Sequence, residues 1–415
     1  MRTARVSRRE LLKTAAVAAP CVIASTALGN AETPPAGDRV TLGHIGVGNQ
    51  GGFLFRSFQN CKGAQSVAVA DCYADRREAY AKMCKGKAYR NFTDLLADPK
   101  IDAVVVATPD HWHVPVALAA ARAKKDAYVE KPLAVTIEEC VTAKKVFAEN
   151  KRMFQYGTQQ RSSDHCRLGC ELVRSGRIGK VHTIEVIAPN GGAGGSTQVV
   201  PVPANFDYEM WCGPSPVRPH TPDRCHPPGT YWIYDYSIGY LGGWGAHPLD
   251  IMVWGSEADI SGPVTCEGTG KIPSQGLYDT VYDWDMKLQL GDVKMTFLPG
   301  GDSTKFIGSE GWIRIWRGGI DAQPKSLLQS KIGPGDVRLI DSKNHYQNYV
   351  DSVRTRQPAV SNLDDAVRSD IISHLCNIAV RTGRKIRWDP KAMTIVGDAE
   401  AAKLMHRDMR SPWTL

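Results

Sequence analysis

The stretch Gly46-Val-Gly48-Asn-Gln-Gly51 constrains the fold more than any other part of the chain, because its three glycines follow an apolar run and precede a helical pattern. The run Arg39-Val-Thr-Leu-Gly-His-Ile-Gly-Val-Gly48 reads as a strand, and Asn49-Gln-Gly-Gly-Phe-Leu-Phe-Arg56 opens a helix. In that setting Gly46 allows a tight turn, Gly48 lets the backbone approach a pyrophosphate, and Gly51 lets the helix pack closely. The helix amino terminus, with Asn49 and Gln50, then offers N–H groups and a favourable dipole to phosphates. Asp71 ends the next β-like stretch, Ser66-Val-Ala-Val-Ala-Asp71, where an acid accepts hydrogen bonds from ribose hydroxyls. Such an acid favours NAD, since the 2′-phosphate of NADP would meet a carboxylate; Arg76 and Arg77 keep NADP open as an alternative.

Further strands are expected at Asp102-Ala-Val-Val-Val-Ala-Thr108 and Ala127-Tyr-Val-Glu-Lys131, with another at Phe154-Gln-Tyr-Gly157. Helical stretches separate them, so residues 38–158 are expected to form an α/β, doubly wound Rossmann domain with a parallel sheet. Thr108-Pro-Asp-His-Trp-His113 follows its third strand at the carboxyl edge, so Thr108, Pro109, His111, Trp112 and His113 are expected to line the cofactor pocket. Residues 159–415 read differently. Alternating stretches such as Tyr282-Asp-Trp-Asp-Met-Lys-Leu-Gln-Leu290 and Trp312-Ile-Arg-Ile-Trp316 predict an open, largely antiparallel sheet, and helices are expected near 344–355 and 363–382. These residues are expected to form an α+β domain.

The leader carries much of the charge. Residues 1–31 hold five basic residues and one acid, so the net charge of +8 falls to +4 without them. Met1-Arg-Thr-Ala-Arg-Val-Ser-Arg-Arg-Glu-Leu-Leu-Lys13 followed by a small, apolar run reads as a twin-arginine signal peptide, with Arg8 and Arg9 as the pair. It implies a translocase partner and a periplasmic or otherwise exported protein, delivered folded with its cofactor bound. No basic stripe interleaved with stacking aromatics points to nucleic acid. The ten cysteines after the leader lack close CxxC pairing, and no metal site is expected; Cys166 and Cys170 beside His165 are read as ordinary core or surface residues.

From Pro189 to Gly245 the chain is rich in proline and glycine, as in long loops, yet unusually aromatic. Tyr231, Trp232, Tyr234, Tyr236 and Trp244 could stack on pyranose faces, while Arg161, Asp207, Asp235 and His226 could bind hydroxyls. A carbohydrate or polyol substrate suits such a set.

The glycine motif, Ala107-Thr-Pro-Asp-His-Trp-His113, Val129-Glu-Lys-Pro132, Gly157-Thr-Gln-Gln-Arg-Ser162, Leu172-Val-Arg-Ser-Gly-Arg-Ile-Gly-Lys-Val181 and Gly242-Gly-Trp-Gly-Ala-His-Pro-Leu-Asp250 recur in order. Together they resemble the glucose–fructose oxidoreductase / inositol dehydrogenase / rhizopine-catabolism (Gfo/Idh/MocA) oxidoreductase family, over nearly the whole chain after the leader. The resemblance implies a dinucleotide domain followed by an open-sheet domain, homodimers or homotetramers, and tightly bound NAD beside Glu130 and Lys131. It also implies that Lys131 hydrogen-bonds or protonates the reacting hydroxyl and that His247 takes its proton. Many relatives carry an aspartate four residues before that histidine, where this chain has Gly243; Asp250 or Asp235 could compensate.

The reaction expected is hydride transfer from a sugar, glycoside or polyol hydroxyl. One alternative is NAD-dependent glycoside hydrolysis through transient oxidation at C3 and elimination. Another is a non-catalytic exported sugar-binding protein.

Overall fold

A computed structural model describes Pro35 and residues 38–227 and 229–415; the expected leader at 1–31 lies outside the described residues. Strands β1 (Val40–Ile45), β2 (Ala64–Ala70), β3 (Lys87–Tyr89), β4 (Ala103–Val106), β5 (Asp126–Val129) and β6 (Phe154–Tyr156) form a six-stranded sheet ordered β3-β2-β1-β4-β5-β6. Every pairing in it is parallel. Helices α1 (Asn49–Gln59), α2 (Ala74–Met83), α3 (Phe92–Ala97), α4 (His113–Arg122) and α5 (Ile137–Asn150) connect the strands. The strand order reverses between β1 and β4, which opens a crevice at their carboxyl ends and sets the glycine turn beside Thr108. β4 consists of Ala-Val-Val-Val and is wholly buried, as a strand covered on both faces requires. α5 starts cleanly because the Thr136 side chain accepts the Glu139 N–H.

After helix α6 (Asp164–Arg174), strands β7 (Val181–Ala188), β8 (Val264–Lys271), β9 (Asp283–Leu290), β10 (Val293–Pro299), β11 (Ser303–Gly308), β12 (Gly311–Trp316), β13 (Gly319–Gln323), β14 (Ile386–Asp389) and β15 (Thr394–Ile395) build a nine-stranded sheet. Its order is β13-β12-β11-β7-β10-β9-β8-β14-β15, antiparallel except for the β7–β10 pair. Alternate residues of β9 are buried, among them Trp284, Met286, Leu288 and Leu290. The long segment between β7 and β8 contains the short helices α7 (Tyr208–Cys212) and α8 (Gly229–Trp232) and then α9 (Ala246–Gly255), while α10 (His345–Thr355), α11 (Leu363–Thr382) and α12 (Ala399–Lys403) lie near the end of the chain. α9 packs on α11, and α11 on β8. One apolar core runs from Val104 and Val129 of the parallel sheet through Leu375 of α11 to Met286 of the second sheet.

The aromatic segment is tied to the parallel sheet beside Asp71. Phe206 stacks on Tyr73 at 4.1 Å and 6°, Asp207 N–H donates to Cys72 O at 2.9 Å, and Asp207 pairs with Arg90 at 2.6 Å. Tyr208, Trp211, Trp232 and Tyr236 complete a separate apolar cluster around this junction.

Candidate cofactor and substrate site

Gly46 holds φ at +82°, a left-handed conformation, and a Cβ there would stand 2.7 Å from Ala107 O. A Cβ on Gly51 would fall 2.0 Å from Gly46 O, so the helix can approach the turn only without one. Around Gly48 the nearest neighbour is the Arg76 tip at 3.6 Å, which leaves room for a ligand against the backbone. Asp71 braces this turn: Oδ2 accepts Val47 N–H and Oδ1 accepts Tyr73 N–H, both at 2.8 Å. Burial raises its pKa, opposed by those two N–H groups and by Arg76, whose guanidinium lies 3.9 Å from the Tyr73 ring centroid. A cleft of about 290 Å³ runs along Gly46, Gly48, Asn49, Gln50 and Asp71 to Thr108, Pro109, Asp110 and Trp112. Its outer wall comes from the aromatic segment, including Trp211, His226 and Tyr231. The open backbone at Gly48, the helix amino terminus and the carboxylate suit a dinucleotide.

His111 and His113 do not line that cleft; they hold its walls in place. His111 Nε2 lies 2.9 Å from Trp211 O, and the His113 ring spans Pro132 O and Thr108 O at 2.6 and 2.9 Å. Trp112 both lines the cleft and donates to Trp211 O at 3.0 Å.

Glu130, buried at the end of β5, connects the turn to the next motif. Its carboxylate accepts Gln50 Nε2 at 2.9 Å, Gln159 Nε2 at 3.1 Å and Lys131 N–H at 3.2 Å. Two residues beyond Lys131, the backbone is held from the other half of the molecule: Asp370 of α11 accepts Leu133 N–H at 3.3 Å and Ala134 N–H at 3.1 Å. Lys131 and His247 line one cavity of about 350 Å³, together with Gln50, Gln159, Gln160, Ser163, Trp244, Arg317, Phe53 and Tyr346. Burial, then the charges of Lys131 and Arg317, hold the His247 imidazole well below its ordinary pKa, so it is neutral at pH 7. Asp110, buried on the cofactor side, is pushed up to about 7 chiefly by burial, against a Ser237 hydrogen bond and the Lys131 charge.

Of the aromatic residues expected to face substrate, Tyr231 and Trp244 line these cavities. Trp232 and Tyr236 are buried in the aromatic cluster, and Tyr234 is sandwiched between Arg381 and Arg407 at 3.4 and 3.8 Å. Asp235 pairs with Arg218, and Asp207 caps α7. Arg161 and Asp250 lie outside both cavities: the guanidinium meets Asp250 through two 2.7 Å hydrogen bonds and Asp365 through a third. Among the described residues no acid lines the second cavity, so neither Asp250 nor Asp235 fills the place left by Gly243. Its aromatic wall comes instead from Phe53 of α1, Tyr346 of α10 and Trp244. Gln159 and Gln160 belong to the Gly157-Thr-Gln-Gln-Arg-Ser162 motif, whereas nothing in the sequence around Arg317 marks it as a cavity residue. Cys166 and Cys170 face backbone oxygens of Trp316 and Ile251. Among the described residues, the metal-type donors that cluster are Cys140, Asp370 and His374, buried behind the turn that follows Lys131.

Residues 40–158 match the oxidoreductase family's NAD-binding Rossmann fold, and residues 192–415 match its C-terminal alpha/beta domain. The chain belongs to the Gfo/Idh/MocA oxidoreductase family. Residues 40–158 are therefore an NAD-binding domain, which the glycine cradle suits. Among curated relatives, myo-inositol 2-dehydrogenase of Thermotoga maritima is 28% identical over 171 residues, 40% of this chain and 47% of that protein. A glycosyl hydrolase family 109 protein of a Shewanella species is 36% identical over 116 residues, 26% of this chain and 25% of that protein. The chain thus spans less than half the length of either relative. The structure of scyllo-inositol dehydrogenase from Lactobacillus casei with bound NAD(H) and scyllo-inositol shares the fold, with a TM-score of 0.59 at 16% identity over 84% of this chain and 99% of that one.

Proposed function

We propose that this protein is an exported NAD-dependent oxidoreductase that oxidises a hydroxyl of a sugar, glycoside or polyol. The observation that carries this reading is the shared cavity of Lys131 and His247, joined through Glu130 and Gln50 to the dinucleotide turn. Bound NAD supplies the hydride acceptor. The Lys131 ammonium donates to the substrate oxygen and favours its ionised form, while neutral His247 accepts the hydroxyl proton. Phe53, Trp244 and Tyr346 offer apolar faces to the C–H side of a sugar ring, and the amides of Gln159 and Gln160 lie beside them.

Export through the Arg8-Arg9 leader, to the periplasm or an equivalent compartment, and self-association across the nine-stranded sheet complete the proposal. Outside the cytoplasm a released dinucleotide would not be replaced. The aromatic segment that walls the cleft favours a retained cofactor, whose hydride would be passed to the carbonyl of a second sugar in the same active site, regenerating NAD.

A second reading is redox-assisted glycoside hydrolysis, in which oxidation at C3 acidifies C2–H, the aglycone is eliminated, water adds and the hydride returns. Similarity to the Shewanella family 109 protein favours it, as does a cavity without the paired carboxylates of an ordinary glycosidase. Purified protein should release NAD on denaturation and reduce that NAD when given a pyranoside, read by absorbance at 340 nm. Aglycone release without net absorbance change would select the hydrolytic reading. Absence of bound dinucleotide together with absence of turnover would remove both.

A further inference from the structure

The cavity that holds Lys131 and His247 has an unusual charge pattern for a site that takes neutral sugars. Its charged lining residues are Lys131 and Arg317, both cationic, and no carboxylate lines it. The nearby acids lie outside the lining: Glu130 receives Gln50, Gln159 and the Lys131 N–H, and Asp302 receives Gln160 at 3.3 Å and lies within reach of the Arg317 charge, which opposes the upward pull of burial on its carboxyl. Arg317, in the turn between β12 and β13, is held by stacking on Trp244, with its guanidinium 4.4 Å from the ring centroid. The Asp302 carboxylate balances part of the Arg317 charge without lining the cavity, and the guanidinium fork faces the cavity, where it can take a ligand. Trp244 Nε1 is likewise a buried donor without a partner. The cavity is thus rich in donors and cations. Its acceptors are neutral ones, the amide oxygens of Gln50, Gln159 and Gln160 and the His247 imidazole, so hydroxyls can be held there, but the two cations have no anionic partner among the lining residues.

We propose that the substrate is an acidic sugar, a uronate or aldonate or a glycoside of one, whose carboxylate is bound by the Arg317 guanidinium. A carboxylate matches the planar fork through two parallel N–H···O bonds, and stacking on Trp244 fixes the plane in which they form. Arg317 sits at the exposed rim and Lys131 deeper beside His247, so one cation reads the acid group while the other serves the reacting hydroxyl. This rests on the reading that the cavity is the substrate site, and extends it to a substrate class.

Binding and turnover are measured separately on the purified, cofactor-containing protein. Tryptophan fluorescence is titrated with methyl β-D-glucuronide, methyl β-D-glucoside and glucose 6-phosphate, and absorbance at 340 nm is followed with each. The glucuronide should bind at least about tenfold more tightly than the glucoside, and Arg317→Ala should abolish that preference. In turnover Arg317→Ala should raise KM for the glucuronide at least about tenfold with kcat within about threefold, and Arg317→Lys should restore part of the loss. Equal binding of glucuronide and glucoside by the wild type would overturn the proposal, and tighter binding of glucose 6-phosphate would overturn the carboxylate assignment. Arginine-dependent glucuronide binding without any redox or hydrolytic turnover would uphold the binding assignment and sink the oxidoreductase reading.

Discussion

Gln50 Nε2 donates to Glu130 Oε1 at 2.9 Å, which joins the first turn of α1, at the dinucleotide motif, to the residue preceding Lys131. Movement at the cofactor turn is therefore transmitted to the catalytic candidate through one buried carboxylate. Glu130→Gln places an amide where three donors converge, so at least one of them loses its acceptor. Loss of a hydrogen bond to a charged group costs about 1.5–3 kcal/mol, and kcat/KM should fall about tenfold or more while the protein stays folded. Steady-state kinetics on the variant test this; an unchanged kcat/KM would show that the bridge does not set the geometry of Lys131.

Lys131→Ala and His247→Ala should each lower turnover at least about tenfold, while the NAD recovered per mole of protein stays near the wild-type value. The separation follows from position, since the dinucleotide turn is shaped by Gly46, Gly51 and Asp71 and neither side chain supports it. Wild-type rates in either variant would remove that residue from the chemistry. With His247 already neutral at pH 7, the wild-type rate should show no His247 limb near pH 6.5.

The legible parts of the fold were those in which one residue type has one physical use. The glycine turn, the β-branched run of β4 and the helices at 345–355 and 363–382 are written in local pattern. Strand β3 was not, because Lys87–Tyr89 is a three-residue edge strand with no buried face to enforce alternation. The cavity walls were harder still. Phe53, Arg317 and Tyr346 come from α1, the β12–β13 turn and α10, and only the packing of the two sheets brings them together. The aromatic loop was visible as a feature, yet most of its rings form the junction at Tyr73 rather than a sugar platform.

Asp110 gives stability a pH dependence. Its carboxyl is raised from 3.8 to about 7 by burial, so the native state binds a proton that the unfolded chain has released between those values. The associated stability is fully present below about pH 4 and is lost as pH rises through about 7, at up to about 1.4 kcal/mol per pH unit. Glu139, also raised to about 7 by burial, contributes in the same direction. Thermal melts should thus show Tm falling from about pH 5 to 7, and Asp110→Asn should flatten part of that slope. An unchanged slope would mean that Asp110 remains ionised in the native protein.

Arg161 was expected on sequence grounds to touch substrate, whereas the structure buries it, 1% exposed, between Asp250 and Asp365. Burial raises the pKa of Asp250, opposed by the Arg161 charge and hydrogen bonds, and Asp250 and Asp365 in turn hold the Arg161 guanidinium charged against its own burial. Arg161→Ala would strand Asp250, itself fully buried on α9, with a desolvated charge. Breaking one side of such a pair costs about 3–5 kcal/mol, so the denaturation midpoint should drop sharply. Asp250→Asn in the Arg161→Ala background should recover part of that loss by removing the stranded charge. KM at a temperature where both variants remain folded should stay close to wild type, because neither residue reaches the cavity of Lys131 and His247. A variant with an unchanged midpoint and a raised KM would instead return Arg161 to the substrate site.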